Sequence, residues 1–475
     1  MVIKMRKRGI LLPVFSLPNE YGIGSFGEEA YRFVDFLAEA KQDYWQVLPL
    51  NPTSFGDSPY QSPSANAGNP YFIDLDLLRA DGLLTKEECA AQRNPDRTID
   101  YARLYRERYA VLRKAFARFV GSKLYNEFII DNADWLLPYA RFMSNKTKNG
   151  GKPWNEWQQI ERDENEELFW IFLQYEFSAQ WKALKTYANR RAIRIIGDMP
   201  IYVAYDSADV WNEPKYFQLD GEGKPTAVAG VPPDAFTQDG QLWGNPLYNW
   251  DVHTKEKFKW WINRFGYALG LYDVVRIDHF RGFAGYYSIP YGEKTARNGE
   301  WKTAPGSLLF HAVKQRYPDA EIIAEDLGYL DEGVTKLLKE TGFPGMKIAQ
   351  FGFSEPDSPY NPENYIENCV AYTGTHDNET AKEWAEKLPR REKKLFRKCV
   401  KKRFWEYDSD ALIGSVFQSR AGTVIVPMQD YLRTGKEGRI NTPSTVGNNW
   451  RWRLSKNYVK SLKKIKSFAK LGGMS

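Results

Sequence analysis

The chain has 475 residues, 43% hydrophobic and 15% aromatic, and its 66 Lys and Arg against 60 Asp and Glu leave a net charge of +6. That length allows one large domain with insertions or two to three ordinary ones, and a charge so nearly balanced excludes a polycation that grips nucleic acid over its whole surface. Three widely spaced cysteines (Cys89, Cys369, Cys399) and four scattered histidines form neither a disulfide framework nor a zinc motif, and no window approaches the roughly eighteen uninterrupted apolar residues of a membrane span.

The opening MVIKMRKRGILLPVF is basic, then apolar, but its apolar part is short and holds a proline, so Gly9 to Phe15 reads as a first strand and not as a secretory leader. Gly22-Ile-Gly-Ser-Phe-Gly27 then opens a helix with apolar residues Ala30, Phe33, Val34, Leu37 and Ala38 at helical spacing. It spells GxGxxG, yet six residues separate it from the strand, and the next strand, Trp45 to Leu50, runs into Asn51-Pro52 where a dinucleotide site needs an acid. Nucleotide binding is therefore set aside. Ser58 to Phe72 is rich in Pro, Ser, Asn and Gly and reads as a loop, carrying Tyr60, Tyr71 and Phe72.

From 74 to 187 the chain reads as a largely helical insertion, with Tyr105, Tyr109, Leu112 and Phe116 as one core-facing stripe. Ile193 to Val203 is the next strand, with Asp198 where its apolar run stops. An insertion at 206–250 follows; its aromatic-rich loop, Gly230 to Trp250, reads as a cleft wall or lid. Further strands end near 278, 325, 353, 375 and 428. With those ending near 15, 50 and 198 this makes eight strands separated by helical stretches, the count of a (β/α)8 TIM barrel spanning 1–475 as a single catalytic domain. The late basic runs, Lys387 to Phe404 and Lys460 to Lys470, read as solvated helices with one apolar face.

Three strands run into acids: VVRID at Asp278, IIAED at Glu325 and YTGTHDN at Asp377. Strand C-terminal ends are where a β/α barrel collects its catalytic groups. Two carboxyls flanking a glycosidic bond supply what acetal cleavage needs, one ionised toward the oxocarbenium-like carbon and one protonated toward the leaving oxygen. Asp278, two residues from the cation of Arg276, reads as the ionised partner; Glu325, behind Ile322, Ile323 and Ala324, reads as the protonated one. Spacing alone gives Asp377 no place in the reaction. The abundant aromatics, 16 Trp and 29 Tyr among them, suit a cleft that packs flat rings on sugar faces.

These residues sit in blocks that resemble the amylomaltases, the 4-α-glucanotransferase or disproportionating enzymes of the α-amylase clan. In order they are GILLPVFSLPNEYGIGSFG, WQVLPLNPT, SPYQSPSANAGNP, GDMPIYVAYDSADVW, GVPPDAFTQDGQLWGNPLYNW, RIDHFRGF, IAEDLG, GTHDN and NTPSTVGNNWRWR. The resemblance implies a retaining double displacement with Asp278 as nucleophile, Glu325 as acid/base and Asp377 as transition-state stabiliser. Arg276, His376 and Asp198 would surround the sugar at the cleavage point and Tyr60 would be its platform, with Ser58, Asp234, Phe236, Trp243, Phe351 and Asn441 lining the grooves. It implies maltooligosaccharides and α-1,4-glucans as donors, glucose or a glucan as acceptor, no organic cofactor or metal, and no nucleic-acid or membrane partner; free cysteines point to the cytoplasm. Transfer would win over hydrolysis where the 230–250 loop keeps water poorly placed. Ser444 departs from the family, which often has Gly there.

Overall fold

The structure is a computed structural model that describes residues 6–233, 237–328 and 330–471. Twelve strands occur among these residues: β1 Lys7–Leu11, β2 Tyr44–Gln46, β3 Arg194–Met199, β4 Ala227–Val231, β5 Gln241–Pro246, β6 Val274–Ile277, β7 Gly285–Pro290, β8 Glu300–Thr303, β9 Ile322–Ala324, β10 Gly345–Ile348, β11 Cys369–Tyr372 and β12 Thr423–Pro427. Eight close into a parallel barrel in the order β1-β12-β11-β10-β9-β6-β3-β2, and helices lie between them, a (β/α)8 barrel. Its strands are short in hydrogen-bonded length. The apolar run expected as strand at Trp45 to Leu50 bonds to β3 only as far as Val47, whose N–H donates to Ile196 O at 2.9 Å, yet Leu48 and Leu50 are buried too. The same holds for Ile201 beyond β3, and the run through Phe353 leaves β10 at Ile348 for a tight turn at Ala349–Phe351. Hydrophobicity reports burial, and past the ladder the chain stays buried by folding over the barrel mouth.

Alternate strand residues fill the barrel: Leu11, Tyr44, Ile196, Val274, Ile323, Met346, Ile348, Val370, Tyr372 and Ile425 form one buried cluster. The larger cluster lies outside it, between barrel and helices. Between β2 and β3 come helices Leu75–Ala80, Lys86–Ala91, Tyr101–Arg118, Lys123–Lys148 and Glu164–Arg190. The last of these seats Phe177 and Trp181 against Phe26, at ring distances of 5.2 and 5.1 Å. The Tyr105 to Phe116 stripe is only partly core. Leu112 is buried and Tyr109 packs on Trp170 at 5.4 Å, but Tyr105 is 67% exposed, because no element covers that end of the stripe.

Strands β5-β4-β7-β8 form a second, antiparallel sheet that the sequence reading did not anticipate. Its strands leave the C-terminal ends of β3 and β6, so it stands at the catalytic end of the barrel. The stretch expected as loop at Gly230 to Trp250 is thus partly strand, and β5 pairs through a bulge near Gly230. The sheet has a small core of Val228, Tyr287, Ile289 and Ala296.

The GxGxxG glycines serve packing. A Cβ at Gly24 would meet the Val14 carbonyl at 1.9 Å, and one at Gly27 would meet the Asp74 carboxylate at 2.0 Å. A buried carboxylate beside that helix start also repels the phosphate such a motif would hold. The late basic helices Arg390–Cys399 and Leu462–Ala469 each bury one face, through Phe396 and through Ile465 with Phe468. Among the described residues no helix is long and apolar enough to cross a membrane, and no group of His, Cys, Asp and Glu could hold a metal ion. Cys89 and Cys369 are buried free thiols; Cys399 is half-buried.

Candidate active site

The register of neighbouring strands assembles the site. In β3 and β6, Asp198 stands beside Arg276 and Met199 beside Ile277; in β6 and β9, Arg276 stands beside Ile323 and Ile277 beside Ala324. Val274 and Ile323 point into the barrel, and side chains alternate, so Arg276, Asp278 and Glu325 continue the inward series. Backbone hydrogen bonds extend the ladder beyond the strands: Asp278 N–H donates to Met199 O, and Glu325 N–H to Ile277 O, each at 3.0 Å. Asp278 and Glu325 therefore lie side by side on adjacent chains, which run roughly 4.8 Å apart in a sheet.

Arg276 is the hub. Its Nη1 donates to both oxygens of Asp198 at 2.6 and 2.7 Å and to Asp278 Oδ1 at 3.2 Å, while Tyr60 Oη donates to Asp198 Oδ2 at 2.8 Å. The side chains of Arg276 and Asp198 are 4% and 0% exposed, that of Asp278 28%. Removing one partner of so buried a pair leaves the other charge uncompensated. Arg276→Met is expected to destabilise the fold by about 3–5 kcal/mol, read from the urea midpoint.

The sequence reading gave Arg276 to Asp278 as the cation that keeps it ionised. The geometry divides that charge, with Asp198 taking the shorter bonds. Burial, the largest influence, pushes the Asp278 carboxyl above the ordinary range; Arg276 opposes this, and Asp198 and Asp377 add to it. Glu325 is pushed further up, again by burial first, with Arg276 opposing and the Asp278 charge adding. The two titrate as a pair, both held above the ordinary carboxylate range by burial.

His279 joins the two chains. It sits in the left-handed region at φ +47°, unusual for a residue other than Gly, and its N–H points at Glu325 Oε2, 2.5 Å away. Its ring meets Trp243 of β5 edge-on at 4.8 Å.

Asp377 follows β11 and keeps 44% of its side chain exposed. Asn441 Nδ2 donates to its Oδ1 at 2.6 Å, Arg439 Nη2 donates to its carbonyl at 3.1 Å, and His376 Nε2 lies 3.4 Å from the same Oδ1. Burial lowers the His376 pKa, so the ring is neutral at pH 7 and free to hydrogen-bond as an uncharged group. Tyr60 stacks on His376 at 5.3 Å and 15°.

Of the other residues singled out from the sequence, Ser58 Oγ accepts the Tyr60 N–H at 3.2 Å and so shapes the loop beneath that ring. Phe351 is 44% exposed and meets Tyr360 edge-on. Asp234 and Phe236 lie outside the described residues. The sequence reading did not single out His279, Arg439 or Trp450, whose ring lies 5.8 Å from Tyr60 and 5.9 Å from His376. His279 and Trp450 stand inside the quoted blocks RIDHFRGF and NTPSTVGNNWRWR, which was the available signal.

Ser444, in the exposed loop after Asn441, has φ +62°. A side chain there costs about 1–2 kcal/mol, partly offset by the greater freedom glycine has when unfolded, roughly 0.5–1 kcal/mol. Ser444→Gly is expected to stabilise the protein by up to about 1 kcal/mol, visible as a higher urea midpoint with the slope unchanged.

A parallel barrel that gathers four carboxylates, an arginine and a neutral histidine at its strand C-terminal ends has the build of a carbohydrate-active β/α-barrel enzyme. A family model described as 4-alpha-glucanotransferase matches residues 12–459, and the chain belongs to that family. The chain is thus a glycosyl-transferring enzyme of the amylomaltase type. It is 48% identical over 467 residues to the 4-alpha-glucanotransferase of Clostridium butyricum, covering 94% of this chain and 95% of that one. It is 44% identical over 478 residues to that of Streptococcus pneumoniae TIGR4, covering 96% and 95%. The solved amylomaltase from Streptococcus agalactiae in complex with acarbose superimposes with a TM-score of 0.95 at 42% identity, covering 98% of this chain and 99% of that one.

Proposed function

We propose that this enzyme moves a segment of an α-1,4-glucan to the 4-hydroxyl of another glucan or of glucose by a retaining double displacement. Asp278 attacks the anomeric carbon and holds the donor as an ester. Glu325 first protonates the leaving oxygen and then, as a carboxylate, removes the proton from the acceptor hydroxyl. Asp377, Asp198, Arg276 and His376 hold the hydroxyls of the reacting sugar, and Tyr60 forms its platform.

The observation that carries this reading is the register of β6 and β9. It sets Asp278 and Glu325 on neighbouring chains with their side chains on the same face, an arrangement compatible with the roughly 5–5.5 Å that a nucleophile and its acid/base need. Burial raises the Glu325 carboxyl and the Asp278 charge adds to that rise, which favours a protonated Glu325 beside an ionised Asp278. Trp243 and His279, in edge-on contact near Glu325, offer ring surface on which a sugar can pack. Free, mostly buried thiols support a cytoplasmic location.

Incubation with pure maltotriose, followed by chromatography, tests the reaction. Transfer gives products both longer and shorter than the input. Products that are only shorter would mean hydrolysis, and unchanged maltotriose would mean mere binding.

A further inference from the structure

We propose that Asp430 is a positioning residue that fixes the loop carrying His376 and Asp377 by tying its two ends together. Asp430 follows β12, is 1% exposed, and has no part in the chemistry assigned above. Its Oδ2 accepts the hydroxyl of Thr373, the first residue after β11, at 2.6 Å. Its Oδ1 accepts the N–H of Ala381, the first residue of helix Ala381–Lys387, at 2.7 Å.

Thr373 and Ala381 are where the catalytic loop begins and ends. One rigid carboxylate thus sets the span between the loop's ends. The donor at Ala381 is one of the N–H groups that a helix start leaves without an internal partner. Neither donor carries a charge. Lys464, the cation that acts on Asp430, gives its hydrogen bonds to Asp410 at 2.6 Å and to Tyr431 O at 2.9 Å. A carboxylate buried without a bonded cation is costly, and what this one obtains for that cost is geometry: two donors held in one plane.

The upper part of the loop is tied separately. Asn441 N–H donates to His376 O at 3.0 Å and Gln350 Nε2 to Glu379 O at 2.8 Å. Asp377 itself is held by Asn441 Nδ2 and Arg439 Nη2, so with the base released the loop still follows the 439–441 segment, and what is lost is the fixed span that sets its distance from Asp278. Since small misplacements of a reacting constellation cost rate more than binding, the effect belongs in kcat.

The proposal rests on the role given to Asp377, and the experiment separates the two. Asp430→Ala, assayed on maltotriose well below its unfolding temperature, is expected to lower kcat between about 10- and 100-fold with KM changed by less than about threefold. Asp430→Asn is expected to stay within about threefold of the parent in kcat, because its oxygen can accept from Ala381 and its amide can donate to the Thr373 hydroxyl. If Asp430→Ala does not fold, Thr373→Val removes one tie alone and should lower kcat several-fold. Asp377→Asn is measured alongside. If it keeps its kcat, the role of Asp377 fails. If it loses kcat while folded Asp430→Ala keeps it, or if Asp430→Asn falls as far as Asp430→Ala, the positioning role fails by itself.

Discussion

Asp278→Asn is expected to lower transfer from maltotriose by at least about 10⁴-fold, with fold and glucan binding kept. The amide has nearly the shape of the carboxylate, and its oxygen can still accept the 3.2 Å hydrogen bond from Arg276 Nη1. The buried Asp198–Arg276 pair, which carries the local stability, is untouched. What disappears is the nucleophile, because an amide neither offers a charge to the anomeric carbon nor forms a glycosyl ester. A second effect follows from the neighbouring acid. The Asp278 charge helps keep Glu325 protonated, so in the variant Glu325 should ionise at lower pH, and the residual rate should begin to fall earlier as pH rises. Rates across pH, far-ultraviolet circular dichroism and calorimetric binding of a maltooligosaccharide check these points. A folded variant that retained most of its activity would remove Asp278 from the reaction.

Glu325→Gln is the second large effect, expected at about 10²–10⁴-fold on maltotriose. It should depend on the leaving group. A maltosyl fluoride needs no proton to depart, so ester formation from it should recover, while resolution of the ester, which needs a base at the same position, stays slow. The variant should therefore accumulate the intermediate from the fluoride but not from maltotriose. The amide oxygen can still accept the His279 N–H, a bond of 2.5 Å in the parent, so the fold should be kept, which circular dichroism monitors. Equal losses on both donors would mean that Glu325 does not handle the proton.

How much of this could be read from the sequence depends on whether a feature leaves a local pattern. The eight barrel strands were legible because runs such as Val274, Val275 and Ile277 are buried on both sides and stop at polar residues. The acids after them were legible for the same reason. Strand ends were misplaced because Leu48 and Leu50 are buried beyond the end of the ladder. The second sheet left almost no trace: β8 is exposed at all four positions, and β5 holds Gly244 and Pro246, which read as loop.

At the site, Asp198, Arg276 and Asp278 stood out in their strands. That Asp198 and not Asp278 receives the shorter bonds from Arg276 is a matter of register between β3 and β6, which no single segment encodes. Asn441 came within view only through the resemblance of its block, and Trp450, in the same block, was not singled out. Asp430, 57 positions from Thr373, is a lone acid between Pro427 and Arg433 with nothing to mark it.

The shared cleft of Asp278 and Glu325 is tested most directly by trapping. Glu325→Gln is incubated with maltosyl fluoride, quenched in acid, digested and analysed by mass spectrometry. A glycosyl group carried on the peptide that holds Asp278, absent when Asp278→Asn is added, is the expected result. A label on any other peptide, or none while fluoride is released, would contradict the account.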